Sequence, residues 1–359
     1  MALTKIHISN IRNIKSVNFT SSSKLNIIVG ENGSGKTSIL EAIYLIGRGR
    51  SFRTQSTSKI ITKGEAALIT TAQIQNEKST HQVGIRKTSS TTEIRINKKK
   101  ERKASELSNY AQVHILRPES QSLLERGATN RRSFIDWGVF HVEHDFLQLS
   151  KKHNQAVRQR NKLLKNKELK TLGAWSTKVA EYGTMLVSKR KTYVGRLEAE
   201  CRVVSKALLG EEKINLVFSQ GWEKNKTLQA ALEEATKKDL LKGFTSVGAH
   251  RSDISLYVSD KLAQDYLSRG QMKLLIFSLY LAQVKVSSRE SDVATCVLID
   301  DLAAELDPFN IKRVLVFLEK VGAQVFITTT NEKLFANYIN NESSSLFHVK
   351  HGVIEKVNK

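Results

Sequence analysis

Eight consecutive residues, Gly30 to Thr37, read GENGSGKT. A glycine, four residues, a second glycine, a lysine and a hydroxyl residue form the spacing of a phosphate-binding loop. Glycines let backbone N–H groups approach phosphate oxygens without a side chain in the way. Gly30, Glu31, Asn32, Gly33, Ser34 and Gly35 therefore line the candidate cradle, with Ser38 just beyond it. Lys36 is expected to reach the β- and γ-phosphates of a nucleoside triphosphate, and the Thr37 hydroxyl to bind Mg²⁺. A helix starting here adds favourable partial charge for an anion. Far along the chain, Asp300 and Asp301 close the apolar run VLI. An acid at the end of a strand beside such a loop suits a magnesium site. Asp300 would hold the ion, directly or through water, and Asp301 would orient or activate the attacking water. A turn with two solvated acids is the plainer alternative.

A second stretch, LSRGQMKLL from Leu267 to Leu275, puts a serine, an arginine and a glycine ahead of an apolar segment. A helix N-terminus prepared this way can hold an anion. It can equally be a helix capped by Ser268 with no ligand.

These residues need elements to hold them. Leu3, Ile6, Ile8 and Ile11 suggest strands with one buried face, and KLNIIVG reads as a buried strand running into the loop. Ile39, Leu40, Ile43, Leu45 and Ile46 fall at helical spacing after it, and Gly47 is expected to end that helix. HQVGIRK and TEIRIN flank TSST as a hairpin, followed by the basic run KKKERK. From about Leu123 to Leu241 the pattern turns helical. Val142, Phe146, Leu149, Ala156 and Leu163 recur at coiled-coil-like intervals, as do residues from Trp175 to Leu208. Residues 151–170 carry eight lysines and arginines against one acid. Strand signals return at DISLYVSD, TCVLIDD, AQVFITTT and LFHVKHGVIEKV. The rhythm is that of an α/β fold built from both ends of the chain, with an inserted short helical arm. The expected division is 1–122 and 242–359 for one head, and 123–241 for the arm.

The chain has 359 residues, enough for one large domain or two ordinary ones. With 57 lysines and arginines against 35 acids its formal charge is +22, which favours a polyanionic partner, nucleic acid before membrane. Two cysteines without metal spacing point to a reducing compartment. With no apolar signal core and no run of about 20 apolar residues, a cytoplasmic protein without a membrane span is expected.

Ser268, Arg269, Gly270 and Gln271 match the signature of one ATPase class: a serine, one variable residue, a glycine and a glutamine ahead of an apolar helix. With the phosphate loop and LIDD, the chain resembles the ABC-type ATPase heads of the SMC-like class. The resemblance narrows further through NIRN, GRSFRT, NRRSFIDW, AHRSDI and LIDDLAAELD, which run in order over nearly the whole chain and are similar to the bacterial RecF family of recombination mediators. That likeness implies an ABC/SMC-type head with a short arm, and a homodimer that forms with ATP. In such a dimer the signature residues of one subunit face the ATP of the other. It also implies slow, DNA-stimulated hydrolysis and binding to gapped DNA at single-strand/double-strand junctions. Work with the RecR and RecO mediators to load recombinase follows, in gap repair, replication-fork maintenance and the SOS response.

In such heads Arg12 and Asn13 lie near the nucleotide's base and sugar, Asp307 belongs to a loop that communicates across the dimer, and Thr330 stands where a switch histidine is usual. Asp301 occupies a position often held by glutamate, whose longer side chain reaches closer to the γ-phosphate, so slow turnover is implied. Ile11 stands where the family often has phenylalanine. Gln121 is a candidate for the glutamine loop. Read from the residues alone, Arg12 and Asn13 could be a surface turn, and Asp307 a solvated helix start beside Pro308. Arg131 and Arg132 could bind DNA or pair with acids in the arm, and His250, Arg251 and Asp253 suggest a polar network. A transport-type ABC ATPase and a non-catalytic DNA-binding module are the alternatives from other classes. The charge and the inserted arm argue against the first. Intact Lys36, Thr37, Asp300 and Asp301 argue against the second.

Overall fold

A computed structural model describes residues 2–75, 79–125, 127–210, 213–290, 293–339 and 343–357. The chain begins with β1 (Ala2–Ile11), β2 (Ile14–Phe19), β3 (Leu25–Val29), α1 (Lys36–Arg48), β4 (Leu68–Gln75), β5 (Thr80–Lys87), β6 (Thr92–Ile96), β7 (Lys99–Glu101) and β8 (Ala111–Leu116). It continues with α2 (Ser122–Glu125), α3 (Ala128–Val142), α4 (Phe146–Asn166), α5 (Leu172–Leu209), β9 (Ile214–Ser219), α6 (Leu228–Lys242), β10 (Asp253–Val258), β11 (Lys261–Leu262), α7 (Ala263–Tyr266) and α8 (Arg269–Glu290). Then come β12 (Ala294–Ile299), α9 (Leu302–Glu305), α10 (Pro308–Val321), β13 (Gln324–Thr329), β14 (Ser344–Lys350) and β15 (Val353–Lys356). Two compact units result, one of residues 1–120 with 287–359 and one of 121–286.

Among the described residues, the first unit holds two six-stranded sheets. One is antiparallel, in the order β2-β1-β4-β5-β6-β7. Its apolar residues Leu3, Ile6, Ile8 and Ile11 are all buried, with a register shift between Leu3 and Ile6. The other runs β15-β14-β3-β13-β12-β8, parallel except for the β14–β15 hairpin. Strands flanked on both sides in a parallel sheet are apolar throughout, and every residue of β12 is buried. Ile39, Leu40, Ile43, Leu45 and Ile46 of α1 share one continuous apolar core with residues of both sheets. The helix passes the expected stop at Gly47 and ends at Gly49, which takes the left-handed cap conformation and donates its N–H to Leu45 O. Gly47 serves packing instead, because a Cβ there would run into Val113 of β8.

The second unit is helical around α5, whose 38 residues span about 57 Å. The helical pattern starting at Val142 is interrupted, since α3 ends there and α4 starts at Phe146. Residues 167–171 turn the chain back, so that α4 and α5 form a hairpin packed through Ala156, Val157, Val179 and Ala180, with Leu228 and Leu232 of α6 completing the cluster. Inside the stretch that reads as helical, INLVFS forms β9 and pairs antiparallel with β10, Ile254 opposite Phe218. That pairing groups residues 242–286 with the helical unit, whereas composition groups them with the ends of the chain. Among the described residues, no helix is long and apolar enough to cross a membrane.

Candidate nucleotide-binding site

In a parallel sheet the loops that follow neighbouring strands gather at one edge, where ligands bind. Here β3, β13 and β12 lie side by side, and the segments after them are Gly30–Gly35, Thr330 and Asp300–Asp301. The turn from β3 into α1 needs its glycines: Gly33 has φ 81° and Gly35 φ 120°. A Cβ on Gly30 would overlap Val349 O of β14. Lys36 is the first residue of α1, buried, and its Nζ donates to Gly30 O at 2.7 Å and Glu31 O at 2.9 Å. Burial lowers the Lys36 ammonium below its ordinary value, opposed by the carboxylates of Asp301 and Asp300. Ser34 Oγ is buried without a hydrogen-bond partner among the described residues. Glu31 and Asn32 are exposed, and the loop borders a cleft of about 500 Å³ shared with His348, Lys350 and His351.

At the second residue of α1, Thr37 Oγ1 donates to the Asp300 carboxylate, 3.0 Å from Oδ1 and 3.1 Å from Oδ2. Residues 263 positions apart thus converge on one point. Thr328 Oγ1 also donates to Asp300 Oδ1, at 2.7 Å, and accepts the Asp301 N–H at 2.9 Å. Asp301 takes a left-handed backbone conformation, φ 51°, as the residue preceding α9. Burial raises its carboxyl above the ordinary value, with Lys36 pulling the other way and Asp300 adding to the rise. Thr330 is exposed just past β13, next to the buried Thr328 and Thr329.

The β1–β2 turn closes another side. Asn13 Nδ2 donates to Gly33 O at 3.1 Å, and Ser38 Oγ donates to Asn13 Oδ1 at 3.1 Å. Arg12 turns to a different partner. Its Nε and Nη2 donate to Glu41 at 2.9 and 3.1 Å, and its Nη1 to Lys59 O at 2.6 Å. Glu41 is fully buried on α1 and also accepts from Ser51 Oγ. The β14–β15 hairpin tip completes the frame: Gly352 N–H donates to Ser34 O at 2.8 Å. Glu41, Thr328 and Gly352 are contributions that motif reading does not reach.

The other named residues are accounted for locally. Asp307 is the N-cap of α10, accepting from Asn310 N–H at 2.9 Å, and that bond lowers its carboxyl. Ser268 precedes α8. Its Oγ accepts the Gln271 N–H at 3.3 Å, and Gln271 Oε1 accepts the Ser268 N–H at 3.0 Å. This reciprocal pair is a capping box. Arg269 and Gly270 form the exposed first turn, where a Cβ on Gly270 would meet nothing within 4 Å. Arg131 grips Asp253 with two bonds of 2.8 Å, and Arg132 donates to Ser252 O at 2.9 Å. His250 Nε2 lies 3.0 Å from Thr245 O. The side chain of Gln121 lies outside the described residues.

Residues 2–355 match the family described as RecF/RecN/SMC N terminal domain. The "DNA replication and repair protein RecF" of Shewanella piezotolerans is 36% identical over 98% of each chain, and that of Shewanella woodyi 35% identical over 100% of this chain and 99% of its own. Among solved structures, the recombination mediator protein RecF with ATP, described as part of the RecFOR pathway, superposes with a TM-score of 0.88 at 24% identity. That match covers 99% of this chain and 98% of the other. An SMC head bound to the C-terminal winged-helix domain of ScpA matches with a TM-score of 0.60 at 16% identity, over 99% of this chain and 97% of its own. The fold is thus that of the ABC/SMC-type ATPase heads, and the chain belongs to the RecF family within the RecF/RecN/SMC group.

Proposed function

We propose that this chain is an ATP-dependent DNA-binding mediator of recombination. It dimerises on ATP, holds gapped DNA at a single-strand/double-strand junction, and lets go when ATP is hydrolysed. The observation that carries the reading is the meeting of Thr37 Oγ1, at the close of the phosphate loop, with the Asp300 carboxylate at 3.0 Å. A hydroxyl and a carboxylate are the hard oxygen donors that Mg²⁺ selects, so Thr37 and Asp300 fit that ion. Mg²⁺ supplies charge neutralisation at the β- and γ-phosphates.

The chain's own groups do the rest. Backbone N–H groups from Gly30 to Thr37 bind the phosphates. Lys36 exchanges two neutral carbonyl acceptors, Gly30 O and Glu31 O, for anionic phosphate oxygens, which make stronger bonds. Asp301 orients the attacking water and accepts its proton. Being shorter than a glutamate, it does this slowly, with turnover stimulated by DNA. Ser268 to Gln271 serve the partner's ATP, while Asp307 and Thr330 carry the state of one site to the other. Asn13 and Arg12 shape the side facing base and sugar. By function and not by packing, residues 1–122 and 242–359, which carry the nucleotide-facing groups, act as a head and 123–241 as its arm, although 242–286 pack with the helical unit.

The names of its relatives, a protein of DNA replication and repair and a recombination mediator of the RecFOR pathway, support a role in recombinational repair; the reading places that role in gap repair, fork maintenance and the SOS response, with RecR and RecO as partners in the cytoplasm. ATP selects the DNA-holding state, and hydrolysis ends it. ATP turnover measured with and without gapped DNA, alongside sedimentation with and without ATP, tests the reading. ATP-dependent dimers, DNA-stimulated turnover and a log–log salt slope near about −5 for DNA, as for about six neutralised phosphates, are expected. A flat salt dependence or ATP-independent dimers would reject it.

A further inference from the structure

Helix α4 contains no acidic residue. Of the eight cations in 151–170, Arg160 is fully buried against Asp239, its Nη1 2.7 Å from Oδ2. The other seven are exposed. None of those seven has a carboxylate partner among the described residues. Cations elsewhere in the same unit do find one: Arg131 pairs with Asp253, Lys189 with Glu143 and Asp145, and Arg190 with Asp136. At 3.6 residues per turn, Lys151, Arg158, Lys162 and Lys165 fall within about 60° of one another around the helix. They form a straight stripe about 21 Å long. Lys167 and Lys170, also exposed, lie in the turn that follows.

We infer that this stripe on α4 is a seat for the phosphate backbone of double-stranded DNA, an inference that rests on the DNA-binding reading above and says where the duplex part is held. A rigid row of unpaired cations fits a rigid row of phosphates, and phosphate contacts position a duplex without reading its sequence. Single strands are held differently, by aromatic platforms on which bases stack. The aromatic residues of the hairpin do not provide one: Trp175 and Tyr182 pack against the apolar cluster of α4, α5 and α6.

The test compares the full chain with a variant carrying Lys151→Gln, Arg158→Gln, Lys162→Gln and Lys165→Gln. A control with the same charge change carries Lys63→Gln, Lys312→Gln, Lys320→Gln and Lys356→Gln, all exposed and all in the other unit. The probes are a short blunt duplex and an oligothymidine strand, titrated over a range of salt. The stripe variant should lose about 100-fold in duplex affinity at low salt, and its log–log salt slope should flatten from about −5 to about −1.5, near 0.9 per cation removed. ATP turnover without DNA and oligothymidine binding should hold. If the fourfold variant misfolds, the two double variants, Lys151 with Arg158 and Lys162 with Lys165, each show about half the slope change. An equal loss in the control, or a loss for oligothymidine alone, overturns the assignment. Duplex binding unchanged in the stripe variant overturns the seat and leaves the DNA-binding reading standing. A parent chain that binds neither probe overturns both.

Discussion

Arg12, in the turn between the first two strands, grips both carboxylate oxygens of Glu41, at 2.9 and 3.1 Å. Glu41 is fully buried on the helix that the phosphate loop opens, and Arg12 is only 24% exposed. The β1–β2 turn is thereby tied to α1 by a fork of charge-assisted bonds. Removing one partner of such a pair strands the other charge in the interior. Arg12→Ala should lower stability by about 3 kcal/mol, read by urea denaturation, and Arg12→Lys should recover only part, because an ammonium cannot span two oxygens in a plane. A loss under about 1 kcal/mol would mean that Glu41 is satisfied without Arg12.

Gly352 holds the phosphate loop from outside. Its φ is 78°, its N–H reaches Ser34 O at 2.8 Å, and a Cβ would overlap Asn13 O. Gly352→Ala should push the hairpin tip off the loop and weaken ATP binding about tenfold, the worth of one hydrogen bond. Lys98→Gly, at φ 67° in the β6–β7 turn of the antiparallel sheet, removes strain and should leave affinity alone. Fluorescent nucleotide titration of both variants measures this, and equal affinities for the two would reject the role of the tip.

Asp301→Asn should retain ATP, slow hydrolysis by about 100-fold or more, and trap the dimer. It should also leave the nucleotide-free protein at least as stable at pH 7. Burial raises the Asp301 carboxyl above its ordinary 3.8. A group raised in the folded state favours folding below its unfolded value and loses that contribution as the pH climbs through its folded value. At neutral pH the parent therefore bears a carboxylate that the asparagine lacks, and the difference should close below pH 3.8. Thermal melts across pH, with a phosphate-release assay, check both halves. Faster turnover or lost ATP binding would count against the assignment.

Ser268→Arg should leave the monomer able to bind ATP but unable to dimerise, if the signature serves the partner's site. Ser268→Ala isolates the capping box, and should cost about 1 kcal/mol in stability. Lys36→Met fails at the phosphate loop instead. Mixing Ser268→Arg with Lys36→Met should restore part of the ATPase, since one composite interface then joins an intact loop to an intact signature. If mixed dimers demonstrably form and remain inactive, the signature does not act across the interface.

Local chemistry was legible in the sequence, and long-range register was not. The phosphate loop declares itself because its glycines, lysine and threonine lie within eight residues. Asp300 was legible as an acid ending an apolar run. Thr328 was not, because its bonds to Asp300 and Asp301 depend on β12 and β13 being neighbours, Ile299 beside Ile327. Glu41 looks like one polar residue on an apolar helix until Arg12 and Ser51 are folded against it. Gly47 reads as the helix stop, but its close approach to Val113 is a matter of packing that local sequence does not show, and the helix runs on to Gly49. The six residues of β9 are too short a pattern to stand out inside a helical stretch, and they carry β10 into the helical unit.

Strand β3 runs directly into the phosphate loop, and both its neighbours, β13 and β14, come from residues 324–350. During synthesis at about 5–20 residues per second, the strand waits roughly 15–60 s for either partner to leave the ribosome. Until then Gly30 has no Val349 beside it, Ser34 has no Gly352, and α1 begins from an unpaired strand. The newborn chain therefore cannot grip a nucleotide while its second unit is still being made. The frame of the loop is complete only once the segment that closes the sheet has emerged, so the site is assembled last although its motif is made first.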